Sequence, residues 1–491
     1  MSRVPARRPS APFVLALLLA LICVAWCCWW QTGTAVARPL VTGVSNVYSS
    51  ESAAFTNVDR TGSTTVLGPL RWNVIAPSQE PSNWNPEDPA DPHYDWKFFD
   101  EWVTGSVQAG LTPILDVRGA PRWAEQCTRV SDEAVCEPKP ADLAAFTRAA
   151  VERYSGTFGD LPRVRYWQGL NEPNLSIFFE PQYEGNSLVS PDLYRNLLNT
   201  FYSAVKSVDP TDLVVAAGLG PIAIPGYTVA PMVFARRLLC MTGTDKRPRP
   251  GDPRPCAGGV DFDIFDVHPY TSGGPTHEGP PNDVEIGDLW KVQRLLAAAD
   301  KARRINSAFK NTPLWVTEFG WDSKPPDPGG LSMKIEKQWI PEALYGAWRN
   351  GVANFMWYSL DDFPPEPDLP FSATLQTGLY FWAPTAANER PKPFMAAYRF
   401  PMIAFRTGDG LKIWGRTPTS KGGSVVIQVR TGGSWRKVAA LKADSGGVFQ
   451  GHIKTNYGAH GAGSARALIG GEASVGFPMK RVVDFPQPPF G

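Results

Sequence analysis

At 491 residues the chain is too long for one ordinary domain and long enough to bury a large core, so two or three domains, or one barrel with an appendage, are expected. Its 48 lysines and arginines balance 47 aspartates and glutamates, which leaves no electrostatic footprint for nucleic acid or for an anionic lipid surface. The partners expected are therefore neither polyanions nor charged membranes.

In chain order, Arg3, Arg7 and Arg8 precede an apolar run over residues 13–30, followed by Ala35-Val36-Ala37, which has the small-x-small form of a signal-peptidase site. Residues 1–37 read as an export signal. The run is 18 residues long, enough to span a bilayer, and Trp26, Trp29 and Trp30 suit its outer interface, so an uncleaved anchor is the alternative. In both cases the chain beyond residue 38 faces outward, giving a secreted or extracytoplasmic protein. Cys23, Cys27 and Cys28 lie inside the apolar run, leaving Cys127, Cys136, Cys240 and Cys256. An even number in an exported chain predicts disulfides. Three pairings are formally open, and the two local ones, 127 with 136 and 240 with 256, are the least demanding. The rival zinc site lacks any CxxC pair, and the five histidines are scattered, so no metal is expected.

From residue 41 to 358 a short apolar run, a loop rich in Pro, Gly, Asp and Trp, and a longer helical segment recur in turn. That grammar predicts parallel strands with crossover helices. Strands are expected at 41–48, 65–72, 112–117, 163–170, 213–217, 262–268, 313–318 and 353–359. Helices are expected within 51–62 and at 97–108, 140–154, 191–208, 284–307 and 334–350. Eight such units make a (β/α)8 barrel, residues 38–404, with an open doubly wound sheet as the alternative. After a helical patch near 393–400 the texture changes to short alternating runs at 424–430, 435–441, 448–454 and 465–469, broken by glycines. Residues 405–491 thus read as a small antiparallel β-sandwich with a Pro-rich tail. Every candidate reagent precedes it, so this accessory domain is expected to be dispensable for chemistry.

In such a barrel the active site forms where strands end. The fourth strand ends Asn171-Glu172-Pro173 and the seventh Thr317-Glu318-Phe319-Gly320-Trp321. Two carboxylates facing each other across a barrel mouth are what cleavage of a glycosidic bond requires. Arg71 and Trp72, His268 and Tyr270, and Trp357 and Tyr358 close three further strands. Trp72, Trp123, Trp321 and Trp357 offer flat faces suited to pyranose rings, although any single tryptophan is more often core. His268 reads equally as a hydrogen-bonded core histidine. Gly218-Leu219-Gly220-Pro221-Ile222-Ala223 has the spacing of a dinucleotide fingerprint, but Pro221 and Pro225 interrupt the helix it would need. No GxSxG elbow, Walker loop or HExxH occurs, and no cofactor is expected.

The Asn-Glu pair closing strand four and the glutamate closing strand seven resemble the clan A retaining glycoside hydrolases. Arg71, Ala76-Pro77, Tyr94-Asp95-Trp96, Asp100, Gly110 and Ala120-Pro121-Arg122-Trp123-Ala124 look like family 39 and its relatives. Family 5 is the rival, and the strand-three ending Asp116-Val117-Arg118, without the usual histidine, favours family 39. The resemblance implies Glu172 as general acid/base and Glu318 as nucleophile, with Arg71 and Tyr270 keeping Glu318 ionised. It further implies that Asn171 meets the sugar 2-hydroxyl, and that the substrate is an oligo- or polysaccharide, probed through His268, Trp123, Trp321 and Trp357. A transglycosylase acting on envelope polysaccharide would use the same residues, and a carbohydrate-binding barrel without catalysis is the third expectation.

Overall fold

Eight short runs dominated by apolar and β-branched residues close on themselves through parallel pairing. The computed structural model describes residues 39–129, 134–224, 226–456 and 463–481. The barrel strands are β1 (Val41–Ser45), β2 (Thr65–Arg71), β3 (Thr112–Arg118), β4 (Tyr166–Gly169), β5 (Leu213–Leu219), β6 (Ile264–Val267), β7 (Leu314–Val316) and β8 (Val352–Tyr358). They pair in chain order, and β8 returns to β1 with Val44 opposite Trp357. All eight expected strands are present in this closed barrel. The crossover helices are α1 (Ser52–Arg60), α2 (Lys97–Gln108), α3 (Pro140–Arg153), α4 (Ser190–Val208), α5 (Pro231–Leu238), α6 (Leu289–Lys301) and α7 (Met333–Arg349), with α8 (Met395–Arg399) after the last strand. The helix expected over 284–307 is shorter at both ends. A separate turn at Ile286–Asp288 carries its own capping box, and Arg303 adopts a left-handed φ of 55° that stops the last turn.

The barrel interior changes character along its axis. Leu67, Ile114, Leu213, Val215, Ile264, Trp315 and Met356 form one apolar layer. Further along β3, β4, β6 and β7 the same inward faces carry Asp116, Gln168, Asp266 and Thr317, all fully buried. The polar layer lies toward the C-terminal ends of the strands. Outside, Gly68 on β2 is required because the Trp102 indole of α2 lies 2.5 Å from where a Cβ would stand.

Beyond α8 come two sheets. β9 (Met402–Arg406), β10 (Gly410–Arg416) and β13 (Val448–Lys454) build one, and β11 (Gly423–Arg430), β12 (Arg436–Ala443) and β14 (Ser464–Ile469) the other, the two completed by short strands near residues 472–481. The expected β-sandwich is thus present, but the junction placed between residues 404 and 405 falls inside β9. Residues 1–37, with their expected signal or anchor, and the tail from 482 lie outside the described residues. Among the described residues no helix is long and apolar enough to cross a membrane. Cys127–Cys136 and Cys240–Cys256 are disulfides, as the local pairing predicted.

The sandwich shares a core with the barrel. Tyr345 of α7 packs on Phe405 and Trp414 at centroid distances of 5.9 and 5.5 Å, and Trp348 on Trp414 at 5.8 Å. Lys480 forms a buried ion pair with Glu342 of the same helix. The expectation of a dispensable appendage is therefore replaced by a different one. A chain ended at Pro401 bares these rings and strips Glu342 of its partner, so it is expected to lose cooperative unfolding in thermal circular dichroism, whereas an independent barrel would keep a sharp transition.

Candidate active site

The fourth strand ends in a strained turn. Leu170 and Glu172 both adopt left-handed backbone, with φ of 63° and 42°, a conformation costly for side chains with a Cβ and concentrated at functional sites. The turn directs Glu172 over the barrel, where it is 7 % exposed, level with Glu318 at 6 %. One carboxylate oxygen of each, and a ring nitrogen of His268, lie within 4.8 Å of one another.

His268 links the two acids. It is fully buried, its Nδ1 lies 2.8 Å from Glu172 Oε1 and 3.6 Å from Glu318 Oε2, and its Nε2 lies 3.0 Å from Thr317 Oγ1. Thr317 in turn donates to Asp266. Burial alone would lower the imidazole pKa, but the charge of Glu318 and the bonds to Asp266 and Glu172 outweigh it and raise it well above the usual value. Burial raises Glu172, opposed by its bond to His268. The histidine thus bridges the two acids. Of its two expected readings, full burial favours the hydrogen-bonded core histidine over a direct sugar contact. Gly218, from the motif that mimics a dinucleotide fingerprint, makes room for this bridge: a Cβ there would sit 2.9 Å from His268 Nε2 and from Gln168 Nε2.

Glu318 is held from the other side. Arg118 Nη2 donates to Glu318 Oε1 at 3.0 Å and to Asn171 Oδ1 at 3.1 Å, while Tyr270 Oη donates to Glu318 Oε2 at 3.2 Å. Arg118 is itself paired with Asp116, whose pKa burial pushes up to about 6 against the pull of that guanidinium. The tyrosine expected on Glu318 is in place. Arg118 adds a guanidinium that was not expected there, and the expected Arg71 stands beside it in register on β2, on the same inward face. Asp116 and Arg118 were visible as the end of strand three. Their alternation with Ile114 was the clue to an inward pair, but without a histidine in the run nothing gave them a role.

The expected tryptophan platforms divide. Trp357 is fully buried, its Nε1 bonded to Thr377 O at 2.7 Å. Trp321 is 3 % exposed, with Nε1 on Gly273 O at 3.1 Å and its ring 4.7 Å from Phe319. Trp72 is 1 % exposed and stacks on Phe146 at 5.4 Å. These three are walls behind the site with no face to offer a sugar. Trp123 alone of the four keeps part of its surface open, its Nε1 donating to Pro77 O at 2.9 Å. Tyr358, next to Trp357, packs instead against Tyr270 at 6.2 Å.

Glu172, His268 and Glu318 could in principle offer three ligands to a cation. The hydrogen bonds already joining His268 to Glu172 and, through Thr317, to Asp266 use both ring nitrogens, which suits a proton better than a metal.

No protein-family model matches the chain. No curated protein matches its sequence either. Among solved structures, a family 39 glycoside hydrolase from the gut symbiont Bacteroides cellulosilyticus is similar at 16 % identity and a TM-score of 0.52, over 85 % of this chain and 80 % of that one. A monomeric β-xylosidase from Caulobacter crescentus aligns over 86 % of this chain and 96 % of its own at 17 % identity, with a TM-score of 0.49. The first of these likenesses is one of fold.

Proposed function

We propose that the protein is a retaining glycoside hydrolase, related to family 39, that cleaves β-linked oligo- or polysaccharides by double displacement. The observation that carries this is the approach of the Glu172 and Glu318 carboxylates to within 4.8 Å between oxygens. An approach of nearest oxygens this close supports the spacing of retaining pairs, about 5–5.5 Å between carboxyl groups, over the roughly 6.5–9.5 Å that inverting pairs leave for a water. Glu172, its pKa raised, protonates the leaving oxygen while Glu318 attacks the anomeric carbon. Glu172 then takes a proton from water as the glycosyl–enzyme bond breaks. Arg118 and Tyr270 hold the nucleophile aimed through their hydrogen bonds to its two oxygens, and the Asn171 amide, its oxygen engaged by Arg118, turns its NH2 toward the sugar 2-hydroxyl. The two disulfides favour an exported setting.

Proton NMR of the first product from an aryl β-glycoside tests the mechanism. A β-anomer is expected, and an initial α-anomer would overturn it. A second measurement concerns the support behind the nucleophile. Asp116→Asn removes the charge that orients Arg118, and kcat is expected to fall about 10–100-fold with KM nearly unchanged, as for other groups that position a reacting one. A fall confined to KM would assign Asp116 to binding instead.

A further inference from the structure

A cavity of about 470 Å³ opens between the loop after β1 and the two loops that follow β8. Its size lies within the roughly 300–1,000 Å³ of small-ligand sites. Packed rings join its wall to the site: Tyr270, which donates to Glu318, packs on Tyr358, which packs on Phe363 at 6.3 Å, which packs on Tyr48 at 6.3 Å. Tyr48 also reaches the Tyr358 hydroxyl. Tyr48 is 57 % exposed and Trp382 37 %, so two large rings keep open faces on this cavity. Such faces, flanked by polar groups, suit the C–H surface of a sugar ring.

The polar lining has one sign. Glu51, Asp361, Asp362 and Glu389 line the cavity, and no lysine or arginine does. Lys392 neutralises Asp362 from behind, and Asn57 donates to Glu389 at 3.1 Å. Glu51 and Asp361 face Glu389 without an intervening cation in the lining. Burial and the neighbouring acids push Glu389 up to about 8 and Asp361 up to about 6, the crowding of acids that a nearby ammonium group would relieve. An anionic sugar would meet the same groups as repulsion.

We propose that this cavity is a subsite for a sugar bearing a free amino group, adjoining the sugar at which cleavage occurs. The proposal rests on the glycosidase reading for its place along the substrate, and the two fail separately. Calorimetric titration of the full chain with Glu318→Gln, which stops turnover, would compare glucosamine oligomers, their N-acetylated counterparts and uronic-acid oligomers of equal length. The aminated oligomers are expected to bind at least about 10-fold tighter than the N-acetylated ones, as for a hydrogen bond to a charged group, and the uronic oligomers weakest. In Asp361→Asn/Glu389→Gln that preference should fall to within about threefold, whereas Trp382→Ala should weaken all oligomers and keep the preference. Equal affinity for aminated and N-acetylated oligomers, or tighter binding of the uronic series, overturns the proposal whatever the variants do. A preference untouched in the double variant overturns the assignment to this cavity. If aminated oligomers bind as expected but the wild-type chain cleaves no glycoside, the glycosidase reading fails and the subsite stands.

Discussion

Glu318→Ala is expected to lower kcat by about 10⁴-fold or more on every substrate, because no other group is placed to attack the anomeric carbon. The fold should survive the change. Arg118, which would lose one partner, keeps its pairing with Asp116, and His268 keeps Glu172 and Thr317. The measurement is single-turnover kinetics beside an unfolding curve: lost activity with an unshifted midpoint supports a chemical role. Lost activity with a collapsed midpoint would mean that the residue is structural, and retained turnover would remove Glu318 from the mechanism.

Glu172→Ala is expected to separate the two half-reactions. Aryl glycosides with good leaving groups need little acid help, so their glycosylation should be nearly spared, while poor leaving groups should lose about 10²–10⁴-fold. Water then attacks without a base, the intermediate accumulates, and azide, which needs none, should restore turnover and yield a β-glycosyl azide. The pH profile gives an independent check. Burial raises Glu172, so the acid form persists above the usual carboxylate range and activity is lost as pH rises through that raised value. In Glu172→Gln the alkaline limb should disappear. Full activity on poor leaving groups, or an alkaline limb unchanged in the variant, would assign the acid role elsewhere.

The barrel was legible in the sequence because its strands are buried on both faces and read as apolar runs at regular intervals, each followed by polar loop residues. The two glutamates were legible because they end such runs among Asn, Pro and Gly. Less visible was anything set by a partner distant in sequence. Arg118 lies 200 residues from Glu318, and nothing local to strand three announces that pairing. The tryptophans misled for a related reason: a ring at a strand end can face the mouth or the wall behind it, and only the packing of Phe319, Thr377 and Phe146 decides. β9 was hidden because Met402–Arg406 follows a helical patch after a single proline and is too short for alternation to show. The eight-residue α5 had too few turns to display a period.

The pairing of β1 with β8 also has a consequence for how the molecule is made. The Ser45 hydroxyl rests on the carbonyl of Trp357, 312 positions later, and the first strand meets the last over five rungs. The barrel cannot close until nearly the whole of it has left the ribosome. Until then β1 and the newest strand are open edges that invite pairing with other chains. Contacts of such range make the final closure slow, since the loop entropy is spent before the last ladder forms. In vivo, yield should therefore depend on how long the seven-stranded intermediate is shielded more than on the stability of the finished barrel.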